Sequence, residues 1–255
     1  MKIFSFFSES FSVFKKSSYR LMLPILFDFL FVLLFGILLF AFGNLIINNL
    51  YGLGASLIQE LSPSAYTKNI IIYIGLFFAI LYLLYSIFQG LSWRYCCIFV
   101  HGKRPDSYIK RFFAVNLLFF FCFIAYALVS FMLDLYEKRS AYIAIPLYLF
   151  ALAIFYFASL SYTAIFNERP IKALKRSFSA GAKRYQMMII FAIILAAFLI
   201  LDFITAKASM GKRLLVILLF VAVMLPAIAY AKITLVSAAS KYLYREEKQR
   251  KKGKR

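Results

Sequence analysis

Apolar positions gather into six long runs separated by short polar or basic segments, and this alternation predicts six membrane-crossing helices. The runs cover residues 21–42, 70–91, 112–133, 142–166, 187–201 and 214–236. Roughly 20 apolar residues in a helix cross the hydrocarbon core of a bilayer. Pro24 falls in the first turn of the first run, where proline is tolerated. Apolar character continues to Leu50, so this helix is expected to tilt or to break near Gly43. The longest link, residues 43–69, carries Gly52, Gly54 and Ser62-Pro63-Ser64, with one short turn of helix expected at 55–61. The fold class is therefore all-α and polytopic, one six-span domain over residues 1–244 followed by a basic tail, 245–255.

The links hold a second pattern. In residues 168–188, Ile171, Leu174, Phe178, Ala182 and Tyr185 share one side of a helical wheel, and Lys172, Lys175, Arg176, Lys183 and Arg184 share the other. A helix so divided lies in the plane of a membrane surface, its apolar side in the acyl boundary and its basic side toward anionic headgroups. An echo stands upstream. Arg104-Pro105, then Lys110-Arg111 and Phe113, repeats the spacing of Arg169-Pro170, Lys175-Arg176 and Phe178. At the N-terminus, Ile3, Phe7, Phe11 and Phe14 form another apolar stripe, ending in Lys15, Lys16 and Arg20. The expected architecture is three hairpins, each introduced by an amphipathic interfacial helix before spans 1, 3 and 5, with a threefold internal repeat.

Charge sets the orientation. Of 30 Lys and Arg, 24 fall on the side of both termini; the other side has only Lys68, Lys138, Arg139, Lys207, Lys212 and Arg213. Basic loops stay cytoplasmic, so both termini are expected inside, in a cell membrane. An odd number of spans would divide the basic loops between the two sides. A net charge of +20 in a chain 64% hydrophobic excludes an ordinary soluble domain. Set between apolar spans, that charge points to anionic lipid as the partner and away from nucleic acid. The first apolar run is too long for a cleavable signal. The tail carries eight cations and two acids from Lys241 onward, reads as disordered beyond Arg245, and is either a lipid-headgroup anchor or a solvated topology signal.

Candidate chemistry is sparse. Asp28 sits about two turns into span 1 among phenylalanines, and a lone acid there costs about 3 kcal/mol or more, so it should face the bundle interior. Lys232 lies at matching depth in span 6, and the pair is expected to meet; Arg94 is a shallower partner. Pro146 and Pro226 each remove a backbone bond inside a span and are candidate kinks framing a site. Trp93-Arg94-Tyr95 reads as an interfacial anchor. Cys96 and Cys97, just beyond it, are either packing residues or palmitoylation sites. Three cysteines without a C-x-x-C pair and a single histidine give no metal site, and no cofactor motif occurs. No catalytic constellation is present, so the expected function is non-enzymatic, a lipid-interacting or scaffolding membrane module. The alternative is a small-solute or ion transporter with an interior site at Asp28, Lys232 and the Pro226 kink.

From Asn167 to Phe178 the chain reads Asn-Glu-Arg-Pro-Ile-Lys-Ala-Leu-Lys-Arg-Ser-Phe. An acid followed by Pro-Ile-x-Ala-Leu-x-x-Ser-aromatic, leading into a span, resembles a broad uncharacterised group of six-span membrane proteins. Some of that group carry this region as the membrane domain of a glycerophosphodiester phosphodiesterase. The resemblance implies a membrane domain tied to envelope lipid. No soluble phosphodiesterase domain accompanies it in this chain, so it does not imply phosphodiester hydrolysis.

Overall fold

The computed structural model describes residues 4–16, 21–58, 64–135, 141–208 and 220–252. Its helices are α1 (Phe4–Lys16), α2 (Met22–Ile58), α3 (Ser64–His101), α4 (Tyr108–Leu135), α5 (Ala141–Ala164), α6 (Pro170–Lys183), α7 (Tyr185–Ala208) and α8 (Leu225–Lys252). A π-helical turn, Phe220–Met224, leads into α8. Among the described residues, five helices are long and apolar enough to cross a membrane, and up to six if α6 and α7, bent by 89° at their junction, form one broken span. The protein is an all-α polytopic membrane protein.

Burial is distributed as a lipid solvent requires. Phe40 (74%), Ile71 (66%) and Leu199 (63%) lie open on the outside. Ser86, Gln89, Ser92, Asn116, Thr163 and Thr234 are buried. Apolar side chains cost nothing against acyl chains, whereas polar ones must turn inward to find partners.

Several expected boundaries move. No break occurs at Gly43: α2 runs on to Ile58 and pairs extensively with α3. At 1.5 Å per residue, 37 and 38 residues give helices of about 55 Å, well beyond an acyl core of about 30 Å. Residues 44–58 are largely apolar apart from three asparagines, and a helix satisfies its own backbone, so glycines at 43, 52 and 54 are insufficient to stop it. Most of the short turn expected at 55–61 is thereby absorbed into α2, and residues 59–63 lie outside those described. Similarly, α7 continues through Asp202 to Ala208, taking in more than half of the expected polar link.

The interfacial helix expected before span 3 is absent. Gly102 adopts φ 67° and closes α3, its N–H reaching Ile98 O at 2.8 Å. Residues 103–107 form a loop, and α4 starts directly at Tyr108. The sequence turns apolar at Phe112, soon after Pro105, which leaves no length for a separate surface helix. After Pro170, by contrast, an amphipathic helix of 14 residues intervenes before Arg184 leaves helical geometry at φ −116°, ψ 84°. The two Arg-Pro segments therefore share spacing and not structure.

The tail is also corrected. α8 runs unbroken to Lys252, where disorder beyond Arg245 was expected. Leu, Arg, Glu, Lys and Gln are all strong helix formers, and no glycine interrupts them before Gly253. The Asp134–Ser140 link and the start of span 6 fall largely outside the described residues, as do Arg20 and Ile3.

Contacts at the basic end tie these elements together. The Tyr230 hydroxyl of α8 donates to Phe7 O of α1 at 3.0 Å, docking the N-terminal helix. Arg111, at the start of α4, donates to Ile165 O (3.2 Å) and Glu168 O (3.3 Å) where α5 ends. Carbonyls at a helix C-terminus lack intrahelical partners, and a cation is well placed there. The Arg184 guanidinium lies 5.7 Å from the Tyr242 ring centre.

Candidate functional site

α2, α3 and α8 converge on one buried polar cluster. Lys232 Nζ donates to Asp28 Oδ1 at 2.6 Å, to Gln89 Oε1 at 2.7 Å and to Ser92 Oγ at 2.8 Å. Gln89 Nε2 donates in turn to Asp28 Oδ1 at 2.9 Å. The expected ion pair therefore forms across spans 1 and 6. Its geometry uses the full donor capacity of an ammonium, which has three N–H groups and no acceptor. The indole of Trp93 stands 5.8 Å from the ammonium and presents its ring to the charge. Asp28 keeps one buried oxygen, Oδ2, without a partner among the described residues.

The sequence explains why these groups meet. Ser86, Gln89 and Ser92 recur every three residues along α3, which places them on one side of that helix. Gln89 and Ser92 face the Asp28–Lys232 pair, while Ser86 serves a second cluster. There, Asn116 Nδ2 of α4 donates to Ser86 Oγ at 2.8 Å, and Tyr162 OH of α5 donates to Asn116 Oδ1 at 2.7 Å. Tyr108 OH donates to Tyr162 O at 2.7 Å. Tyr162 also packs on Phe112, with ring centres 4.3 Å apart, and on Trp93 at 5.7 Å. Two polar clusters thus tie α2, α3, α4, α5 and α8 into one body.

Pro226 stands about one and a half turns before Lys232, just after the π-turn. Proline cannot donate to the residue four before it, and the wider turn absorbs that loss. The expected irregularity is present as a π-turn just before Pro226. Pro146 plays no comparable part. It is exposed, in the second turn of α5 at the end away from the basic face, and borders neither of the cavities beside the clusters.

Those two cavities adjoin each other. One of about 450 Å³ runs between α3, α5, α7 and α8, with Lys232 and Gln89 in its wall among Trp93, Phe155, Phe191 and Phe198. A smaller one of about 220 Å³ is lined by Phe31, Phe35, Phe119, Phe120, Asn116 and Tyr162. Because all three Lys232 donors point at protein acceptors, what both spaces offer a guest is chiefly hydrocarbon and aromatic surface.

The basic segments divide into two groups. Arg111 is spent on the α5 terminus, Arg176 pairs with Glu168, and Arg184 lies over Tyr242. Lys15, Arg104, Lys110, Arg169, Lys172, Lys175 and Lys183 are exposed; the side chain of Lys16 is outside those described. On α6 the division is threefold. Ala173, Ser177 and Gly181, each four apart, are buried, and Tyr156 OH of α5 donates to Gly181 O at 3.1 Å. Ile171 and Phe178 form an exposed apolar sector, and the lysines a third sector beyond it. The sequence pattern reveals the second and third sectors readily and the first poorly. Its signal is Ala-x-x-x-Ser-x-x-x-Gly, the small-residue spacing that lets helices approach closely in membranes. Cys96 and Cys97, 0% exposed, are core residues and not palmitoylation sites on this surface.

No protein-family model, no curated protein and no solved structure matches this chain.

Proposed function

We propose that this protein is a non-enzymatic module of the cell membrane, with both termini cytoplasmic, that engages anionic phospholipid through its basic end. The observation that carries the reading is the three-sector α6 at 89° to α7. A small-residue sector fastens it to the bundle, an apolar sector is left for acyl chains, and Lys172 and Lys175 are left for headgroups. Each cation at an anionic leaflet contributes about 1 kcal/mol, and the excess of basic residues on this side supports its cytoplasmic placement.

The alternative, a solute pathway through Asp28, has the buried cluster against it. Asp28 is 2% exposed and Lys232 is 7% exposed, and every Lys232 donor is engaged. A polar solute would find an aromatic chamber without a free charged donor. The pair supports a structural reading, an ionic clasp between α2 and α8.

The test is lipid selectivity. Protein extracted from proteoliposomes of equal phosphatidylglycerol and phosphatidylcholine should retain the anionic lipid in several-fold excess, measured by mass spectrometry of copurifying lipid. Lys172→Gln/Lys175→Gln should reduce that excess. Equal retention of the two lipids by the wild-type protein would overturn the reading.

A further inference from the structure

At the basic end a third cavity, of about 700 Å³, opens between α2 and the last turns of α3. Its lining divides by chemistry. Arg94 and Arg104 supply two guanidinium groups; Leu23, Tyr95, Ile98 and Phe99 supply an apolar wall. No carboxylate lines it among the described residues. Arg94 Nε is buried and has no hydrogen-bond partner among the described residues. The arginine is nonetheless anchored in the bundle, between the buried Trp93 and Tyr95, whose ring stacks on Phe27 at 5.8 Å. Gly102, in left-handed geometry, ends α3 and turns the chain so that Arg104 comes back to the same cavity.

An N–H donor taken out of water without an acceptor costs about 1–3 kcal/mol, and more when the group is charged. Two arginines without an acid create a site that lacks an anion. The guanidinium fork matches phosphate oxygens in pairs, better than an ammonium can. The apolar wall opens beside Leu23, which is 36% exposed at the start of α2. A ligand filling this space needs a phosphate at one end and hydrocarbon at the other.

We propose that the Arg94–Arg104 cavity is a discrete binding site for the phosphate headgroup of an anionic phospholipid, whose acyl chains leave past Leu23 into the bilayer. This site deepens the lipid reading and rests on it. It differs from the diffuse surface of α6 in that it holds one lipid in a fixed place. Arg94 thereby takes a role beyond the two that the sequence offers, an interfacial anchor and a shallower partner for Asp28.

Titration of the purified protein with phosphatidylglycerol in neutral detergent, followed by native mass spectrometry, tests it. The wild type should show one lipid bound well ahead of the rest. Arg104→Gln alters only an exposed loop side chain and should weaken that first lipid about tenfold, the scale of one charge-assisted contact. Arg94→Lys keeps the charge but removes Nε and the fork, and should weaken it as well. Lys172→Gln/Lys175→Gln should leave the first lipid in place and reduce the later ones. Unchanged Trp93 emission in each variant shows that the bundle is intact. If the first lipid survives both arginine variants and is lost with the α6 pair, this site is wrong while the lipid reading stands. If the wild type shows no preference for phosphatidylglycerol over phosphatidylcholine, both fail. Inorganic phosphate at millimolar concentration should not displace the lipid; full displacement would make the occupant a free anion and overturn the assignment to lipid.

Discussion

Lys232→Met should destabilise the folded protein by about 3–5 kcal/mol, the range for breaking a buried ion pair from one side. The loss comes chiefly from what is left behind. Asp28 would retain only Gln89 Nε2 as a donor, with its second oxygen already unpartnered, in a site 2% exposed. Gln89 Oε1 and Ser92 Oγ would lose their donor at the same time. Removing both charges should restore most of the loss. In Asp28→Asn/Lys232→Met, the amide keeps the shape and a hydrogen bond to Gln89, and no charge remains to be compensated. Unfolding in detergent can be followed by Trp93, the only tryptophan of the chain, whose ring stands 5.8 Å from the ammonium. A single variant costing under about 1 kcal/mol, or a double variant as damaged as the single, would contradict the ionic clasp.

Gly181→Val is expected to cost about 3 kcal/mol, the upper part of the range for overpacking, and to loosen α6 from the bundle. Even a Cβ at this position would stand 2.8 Å from Leu160 Cδ1, 2.9 Å from Phe157 Cε1 and 3.2 Å from Tyr156 Cε1. One such neighbour could rotate aside. Three cannot, because Leu160 is 1% exposed and Tyr156 is held by its bond to Gly181 O. Alanine gains about 1 kcal/mol of helix propensity over glycine, which offsets part of its own clash, so Gly181→Ala should fall between the two. The readouts are thermal unfolding and trypsin cleavage at Lys172 and Lys175, which should quicken as the helix leaves α5. A fully stable Gly181→Val protein with unchanged cleavage would show that the small-residue face does not dock α6.

The two cases differ in how far the sequence reveals them. Asp28 and Lys232 are legible because charge inside an apolar run is costly, and equal depth from one face leaves few partners. Gln89 and Ser92 are harder to see. An uncharged polar side chain carries a smaller penalty, and its signal is only the three-residue recurrence with Ser86. Asn116 carries still less, isolated among the apolar residues of its run, and Tyr162 is one of several hydroxyl residues near the end of span 4, among which the pattern does not single it out. The surface helix α6 is legible from its charged and apolar sectors; its buried sector is hidden because small residues are weak in any hydrophobic pattern. The extent of α2 is misjudged at Gly43 because glycine lowers helix propensity by an amount that pairing with α3 outweighs. Charge alone assigns Arg111 to lipid, yet it binds the carbonyls at the end of α5, a role set by a neighbour 54 residues away.

An ionic clasp requires a bundle centre closed to water. Trp93 lies at that centre, 5% exposed, against Lys232 on one side and Tyr162 on the other. Quenching of its fluorescence by iodide and acrylamide, in the wild-type protein reconstituted in lipid, measures that closure directly. The sealed cluster predicts blue-shifted emission and almost no quenching by either agent. Quenching close to that of free tryptophan would mean that water reaches the Asp28–Lys232 pair, and a solute pathway would then replace the lipid-binding module as the reading of this protein.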